Sequence, residues 1–127
     1  MFSHIMVGSN DIDRSKKFYD AVLGTLGVRP AITDPKGRLF YITPTGVFGV
    51  SKPIDGEPAC HANGGTIGFA CKTTEEADAW HAAGVAHGGT SIEDPPGVRD
   101  GGTGKMYLAY LRDPDGNKLC ALLRMAS

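Results

Sequence analysis

The segment Ser3-His4-Ile5-Met6-Val7-Gly8-Ser9-Asn10-Asp11-Ile12-Asp13-Arg14-Ser15-Lys16-Lys17-Phe18-Tyr19-Asp20-Ala21-Val22-Leu23-Gly24 decides the fold, because its hydrophobic period changes partway along. Residues 2–7 alternate as a strand does, whereas Ile12, Phe18, Tyr19, Val22, Leu23 and Leu26 recur at helical spacing. Asn10 or Asp11 supplies the helix cap, and Gly24 and Gly27 the stop. Downstream, residues 28–33, 38–43 and 47–52 read as strands, separated by the turn formers Asp34-Pro35-Lys36-Gly37 and Pro44-Thr45-Gly46. The order is βαβββ.

A second run of the same order follows a connection at residues 55–65. Thr66-Ile67-Gly68-Phe69-Ala70-Cys71 is strand-like, and Thr73 with Glu76 makes a capping box for a helix over 74–86. A short strand at 90–93 leads into a Pro/Gly-rich loop at 94–104. Strands at 105–112 and 117–124 then flank Asp113-Pro114-Asp115-Gly116, a strong hairpin signal.

Composition narrows the function classes. The 127 residues, 41% of them hydrophobic, suffice for one domain with a proper core. A net charge of -1 with interleaved signs offers no basic stripe for nucleic acid, and no apolar run reaches membrane length. Three Cys with no CxxC pair and no leader-like start fit a reducing, cytoplasmic setting. The expected partners are a small-molecule ligand and a second copy of the chain, with no nucleic acid and no membrane. The run Gly101-Gly102-Thr103-Gly104-Lys105 is not a phosphate loop, since Arg99 and Met106 stand where Gly and Ser or Thr are needed and a strand follows where a helix should. It reads equally as a solvated loop or as a mobile lid, on which Arg99 and Lys105 would meet an anionic group of the substrate.

The opening segment, with His on the first strand, an acidic turn and a helix bearing Phe-Tyr and ending Leu-Gly, resembles the first βα unit of the glyoxalase/bleomycin-resistance/extradiol-dioxygenase (vicinal oxygen chelate) superfamily. The resemblance implies an α+β fold with paired βαβββ modules, residues 1–53 and 64–127, in one domain over 1–127. Their sheets would make a cup-shaped mixed β-sheet with helices on the outside. Strand alternation then puts Ile5, Val7, Ile67 and Phe69 under the helices and His4, Thr66 and Cys120 toward the cup.

Metal sites of that family draw one ligand from each of four strands. The matching positions here are His4, Gly49, Thr66 and Cys120, and Gly has no donor while Thr is a poor one. The complete family metal site is therefore not expected. A divalent ion on His4 would need a substitute ligand such as His61. For chemistry, His4 is the candidate base and Cys120 the candidate nucleophile, with Tyr41 and Tyr110 as proton donors. Thr66, Tyr41, Phe48, Arg99, Lys105 and Tyr110 are the candidate substrate contacts. The bland alternatives are a satisfied His4, a core Cys120 and a cup that is only structural. Two functional readings follow from the resemblance: a lactoylglutathione-lyase-like lyase or isomerase with an atypical or absent metal site, or a metal-independent, ligand-sequestering protein of the bleomycin-resistance type.

Overall fold

The computed structural model describes residues 1–125; Ala126 and Ser127, the end of the second expected module, lie outside the described residues. The first unit runs β1 (His4–Gly8), α1 (Ile12–Gly24), β2 (Ile32–Thr33), β3 (Leu39–Thr43) and β4 (Gly46–Ser51). Asp11 caps α1 by accepting the Arg14 N–H at 3.0 Å. The strand expected over 28–33 shrinks to Ile32–Thr33, since Pro30 breaks pairing and the Ala31 N–H is spent on the Asp20 carboxylate at 3.0 Å.

The second unit runs β5 (Ile67–Ala70), α2 (Thr74–Ala86), β6 (Thr90–Ser91), β7 (Gly97–Asp100), β8 (Lys105–Arg112) and β9 (Lys118–Arg124). Thr73 accepts the Glu76 N–H, and the Glu76 carboxylate reaches back to the Lys72 N–H. The loop expected over 94–104 holds strand β7, which pairs along the first half of β8 while β6 pairs along the second. Val98 and its neighbours find free edge donors and acceptors there, so residues 94–96 and 101–104 remain loop.

Two mixed sheets result, ordered β1-β4-β3-β2 and β5-β9-β8-β6, with β1 parallel to β4 and β5 parallel to β9. One face of each carries helix. Phe18, Tyr19, Val22 and Leu23 of α1 and Ala77 and Trp80 of α2 are buried in a single apolar core with Leu39, Val50, Leu111 and Leu119. At roughly 2–3 kcal/mol per large side chain, this burial is the main stabilising term. Close approach has been arranged for: a Cβ on Gly84 would lie 2.2 Å from Leu111 Cδ1, and one on Gly89 2.6 Å from Phe18 Cε1.

β1 and β5 stand at the facing edges of the two sheets without pairing. Residues 6–8 share one cavity with 65–67, and residues 4 and 5 share another with 67–69, so the strands pass in opposite senses along an unbonded seam. A polar clasp closes the Gly8 end. Asp113 accepts the Tyr19 hydroxyl at 2.5 Å, Asn117 Nδ2 at 2.8 Å and the backbone N–H groups of Asp115 and Asn117. Asn117 Nδ2 also donates to the Gly8 carbonyl, and Asp115 accepts the Asn10 N–H and the Arg14 guanidinium. Burial, then the Asp113 charge, holds the Tyr19 hydroxyl far above its usual pKa, so it remains a donor.

Asp113→Ala strips the partners from four donors, most of them buried, and is expected to cost about 3 kcal/mol in urea unfolding. In a Tyr19→Phe background the same change should cost measurably less. Equal costs in the two backgrounds would show that the pair does not couple.

Candidate functional site

Strand alternation leaves each sheet with an open face. On the first, pairing of Met6 with Gly49 and of Phe40 with Gly49 sets Met6, Phe40 and Gly49 side by side, with His4 beside Val47. Met6 stays 39% exposed. His4 is exposed, and its Nδ1 shares a 2.7 Å hydrogen bond with Ser3 Oγ, which leaves Nε2 free. On the second, pairing places Gly68, Cys120 and Tyr110 in one row, and Lys118 with Arg112 in the next.

Cys120 is nearly covered, at 6% exposure, and Gly68 makes room for it: a Cβ there would lie 3.2 Å from its sulfur. Burial pushes its thiol up; Lys118 pulls the other way without winning. Lys118 pairs with Glu93 and lies 5.1 Å from the centroid of the Tyr110 ring. Desolvation, then Cys120 and Glu93, also raises the Tyr110 hydroxyl. Glu93 takes φ of 58°, the one positive value among described non-glycine residues, a conformation that costs on the order of 1 kcal/mol.

The expected residues do not all meet. Tyr41 and Phe48, expected in the cup, face the helices at 1% and 7% exposure, because their register mates are the core positions of β3 and β4. Tyr41 is no free proton donor either, since its hydroxyl bonds Asp20 at 2.8 Å. His4 and Thr66 open into different cavities toward opposite ends of the seam; Thr66 shares its own, about 250 Å³, with Met6, Cys60 and Lys118. Arg99 lies on the open face but turns back onto the carbonyls of Gly97 and Asp94. Lys105, paired with Asp100 one position on, points to the other side. His61 packs over Gly116 at the Gly8 end of the seam, a strand's length from His4. The Lys118–Glu93 pair on the second open face was missed in the sequence, since nothing local signals the backbone turn that joins them.

The metal-binding positions can be tested on their own chemistry. At Gly49 a Cβ would sit 2.2 Å from the Met6 sulfur, so the thioether occupies the space where a β4 ligand would project. The remaining donors are one exposed imidazole, the Thr66 hydroxyl, which opens into a different cavity, and one thiol whose pKa burial raises. Among the described residues no three His, Cys, Asp or Glu side chains cluster as a metal would need. The donor set does not fit a four-strand divalent centre.

Comparison with known proteins places this geometry. The sequence profile described as Glyoxalase/Bleomycin resistance protein/Dioxygenase superfamily matches residues 1–121. A glyoxalase/bleomycin resistance protein from Albidiferax ferrireducens is 62% identical, with a TM-score of 0.95 over 98% of this chain and 99% of its own. A glyoxalase/bleomycin resistance protein/dioxygenase family enzyme from Burkholderia phytofirmans, 20% identical, superposes with a TM-score of 0.71 over 97% of this chain and 98% of its own. A lactoylglutathione lyase from Agrobacterium tumefaciens, 19% identical, gives 0.66 over 96% and 92%. The last two speak to fold alone. No curated protein matches the chain significantly.

Thiol reactivity reads out the site directly. Cys60 is exposed, whereas Cys71 and Cys120 are buried with raised pKa values, Cys71 by burial and then Glu76. Iodoacetamide at pH 7.5 is expected to label Cys60 first, with Cys120 following only as the pH rises past the ordinary thiol range. Peptide mass spectrometry showing Cys120 labelled as fast as Cys60 at neutral pH would mean an activated thiolate.

Proposed function

Because this chain belongs to the glyoxalase/bleomycin resistance protein/dioxygenase superfamily, we propose that it is a small-molecule-binding protein that holds its ligand on the open sheet faces without a four-strand metal centre. The observation that carries this reading is Gly49 with the Met6 thioether over it, which removes one ligand position outright. Met6, Phe40 and Leu122 offer the ligand apolar contact, His4 Nε2 a hydrogen bond, and the Arg99 guanidinium an attraction for anionic groups.

Sequestration is favoured over lyase chemistry by the state of the candidate bases. An enediolate-forming reaction needs a carboxylate or thiolate base beside an electrophile. Here the Cys120 thiol and the Tyr110 hydroxyl are both raised, and the Glu93 carboxylate is engaged by Lys118. A homodimer in a reducing compartment belongs to the same reading. Met6 and Ile42 stand exposed on one open face, 39% and 61%, and a second copy would cover them while all three cysteines stay unpaired. Among the described residues no helix is long and apolar enough to cross a membrane.

Protein purified without an affinity tag is expected to carry substoichiometric zinc, nickel and iron. It should leave the methylglyoxal–glutathione hemithioacetal unconverted before and after added Ni²⁺ or Zn²⁺. One metal per chain, together with turnover that chelation abolishes, would overturn the proposal. Sedimentation velocity at micromolar concentration should return a dimer, and a monomer there removes the assembly from it.

A further inference from the structure

The two ends of the β1/β5 seam are finished differently. At the Gly8 end the Asp113–Asn117 turn of the second unit binds the first through the clasp. At the His4 end the corresponding turn of the first unit, Thr43 to Gly46, satisfies itself: Thr43 Oγ1 donates to the Gly46 carbonyl at 2.8 Å and accepts the Thr45 N–H. Among the described residues no hydrogen bond joins that turn to the second unit. What lies between is a slot of about 290 Å³, entered beside His4 and running to the helix side.

The walls of the slot are rings and aliphatic chains. Phe48 and Phe69 meet edge to face with centroids 5.4 Å apart, Tyr41 lies beyond Phe48 at 6.3 Å, and Leu23 and Val28 complete the far side. The Tyr41 ring is fixed, because its hydroxyl is tied to Asp20. Among the described lining residues there is no Asp, Glu, Lys or Arg side chain; the hydroxyls of Ser3, Thr43 and Thr45, the His4 imidazole and Met1 with its α-amino group lie at the mouth, while the inner walls are apolar. Charged groups would enter such a slot at a heavy desolvation cost, whereas rings gain both apolar burial and edge-to-face contact.

We propose that this slot, reaching from the open-face edge at His4 to the helix side, is a second binding site for a neutral molecule carrying one or two fused rings. Apolar cavities of about 150 Å³ take up benzene, so the volume here accommodates a bicyclic ligand with its small polar edge at the Ser3 and Thr45 hydroxyls. The slot meets the open faces at His4, Val47 and Gly68, but its inner walls, Tyr41, Phe48 and Phe69, lie on the helix side, so ring binding there is read separately from binding on the open faces.

The test uses the full chain, with indole as the probe and indole-3-carboxylate as its anionic counterpart. Indole titrated into ¹⁵N-labelled protein should saturate with a Kd on the order of 0.1 mM, shifting amides of residues 43–48 and 67–69. The carboxylate should bind about ten-fold more weakly or worse. Val28→Trp fills the slot and should abolish saturation. Thr45→Trp, on an exposed turn at the mouth, serves if the first variant disturbs packing. Any of three outcomes would overturn the site: no saturation with indole, equal affinity for the anion, or shifts gathered on Tyr110 and Cys120. Indole affinity that rises as the protein is diluted out of a dimer would also refute it, because a second copy would then be the occupant.

Discussion

The arrangement of the two units depends on one buried carboxylate. Asp113 gathers donors from α1 and from its own turn, and through Asn117 it reaches the end of β1. Among the described residues no strand of one sheet pairs with a strand of the other, so apolar packing alone would leave their relative position loosely specified. Directional bonds to a group that cannot be left unpaired supply the missing specification. The side that each open face presents, and the distance across the seam, follow from where that turn is anchored.

Much of this architecture was legible because it is written in local signals. The helix caps at Asp11 and Thr73, the change of hydrophobic period after Gly8 and the Asp113–Gly116 turn are consequences of neighbouring residues alone. What local signals misjudged was β7. Pro95, Pro96 and the glycines around Val98 read as loop, and only the free edge of β8, contributed by residues downstream, turned them into a strand. The same limit applies to Ala31, whose N–H is claimed by a helix carboxylate rather than a sheet neighbour.

The site was legible to the extent that alternation decides it. His4 and Cys120 stand on the open faces where period two puts them, while Tyr41 and Phe48 required a register that their own strands do not reveal. Distances across the seam were beyond reach, which is why His4 and Thr66 were expected together and open apart. The pairing of Glu93 with Lys118 depends on a left-handed backbone at a residue type that seldom adopts it, so no pattern in the chain announces it.

A seam fastened at one end behaves as a hinge. With the clasp as its pin, the softest relative motion of the two units is a rotation whose amplitude grows with distance from Asp113, so the lever arm is longest where Thr43 to Gly46 face Phe69. Small angular changes at the pin therefore become the largest changes in aperture at the far end. Amides of β1 should accordingly feel a gradient of opening along the strand, steepening from Gly8 toward His4.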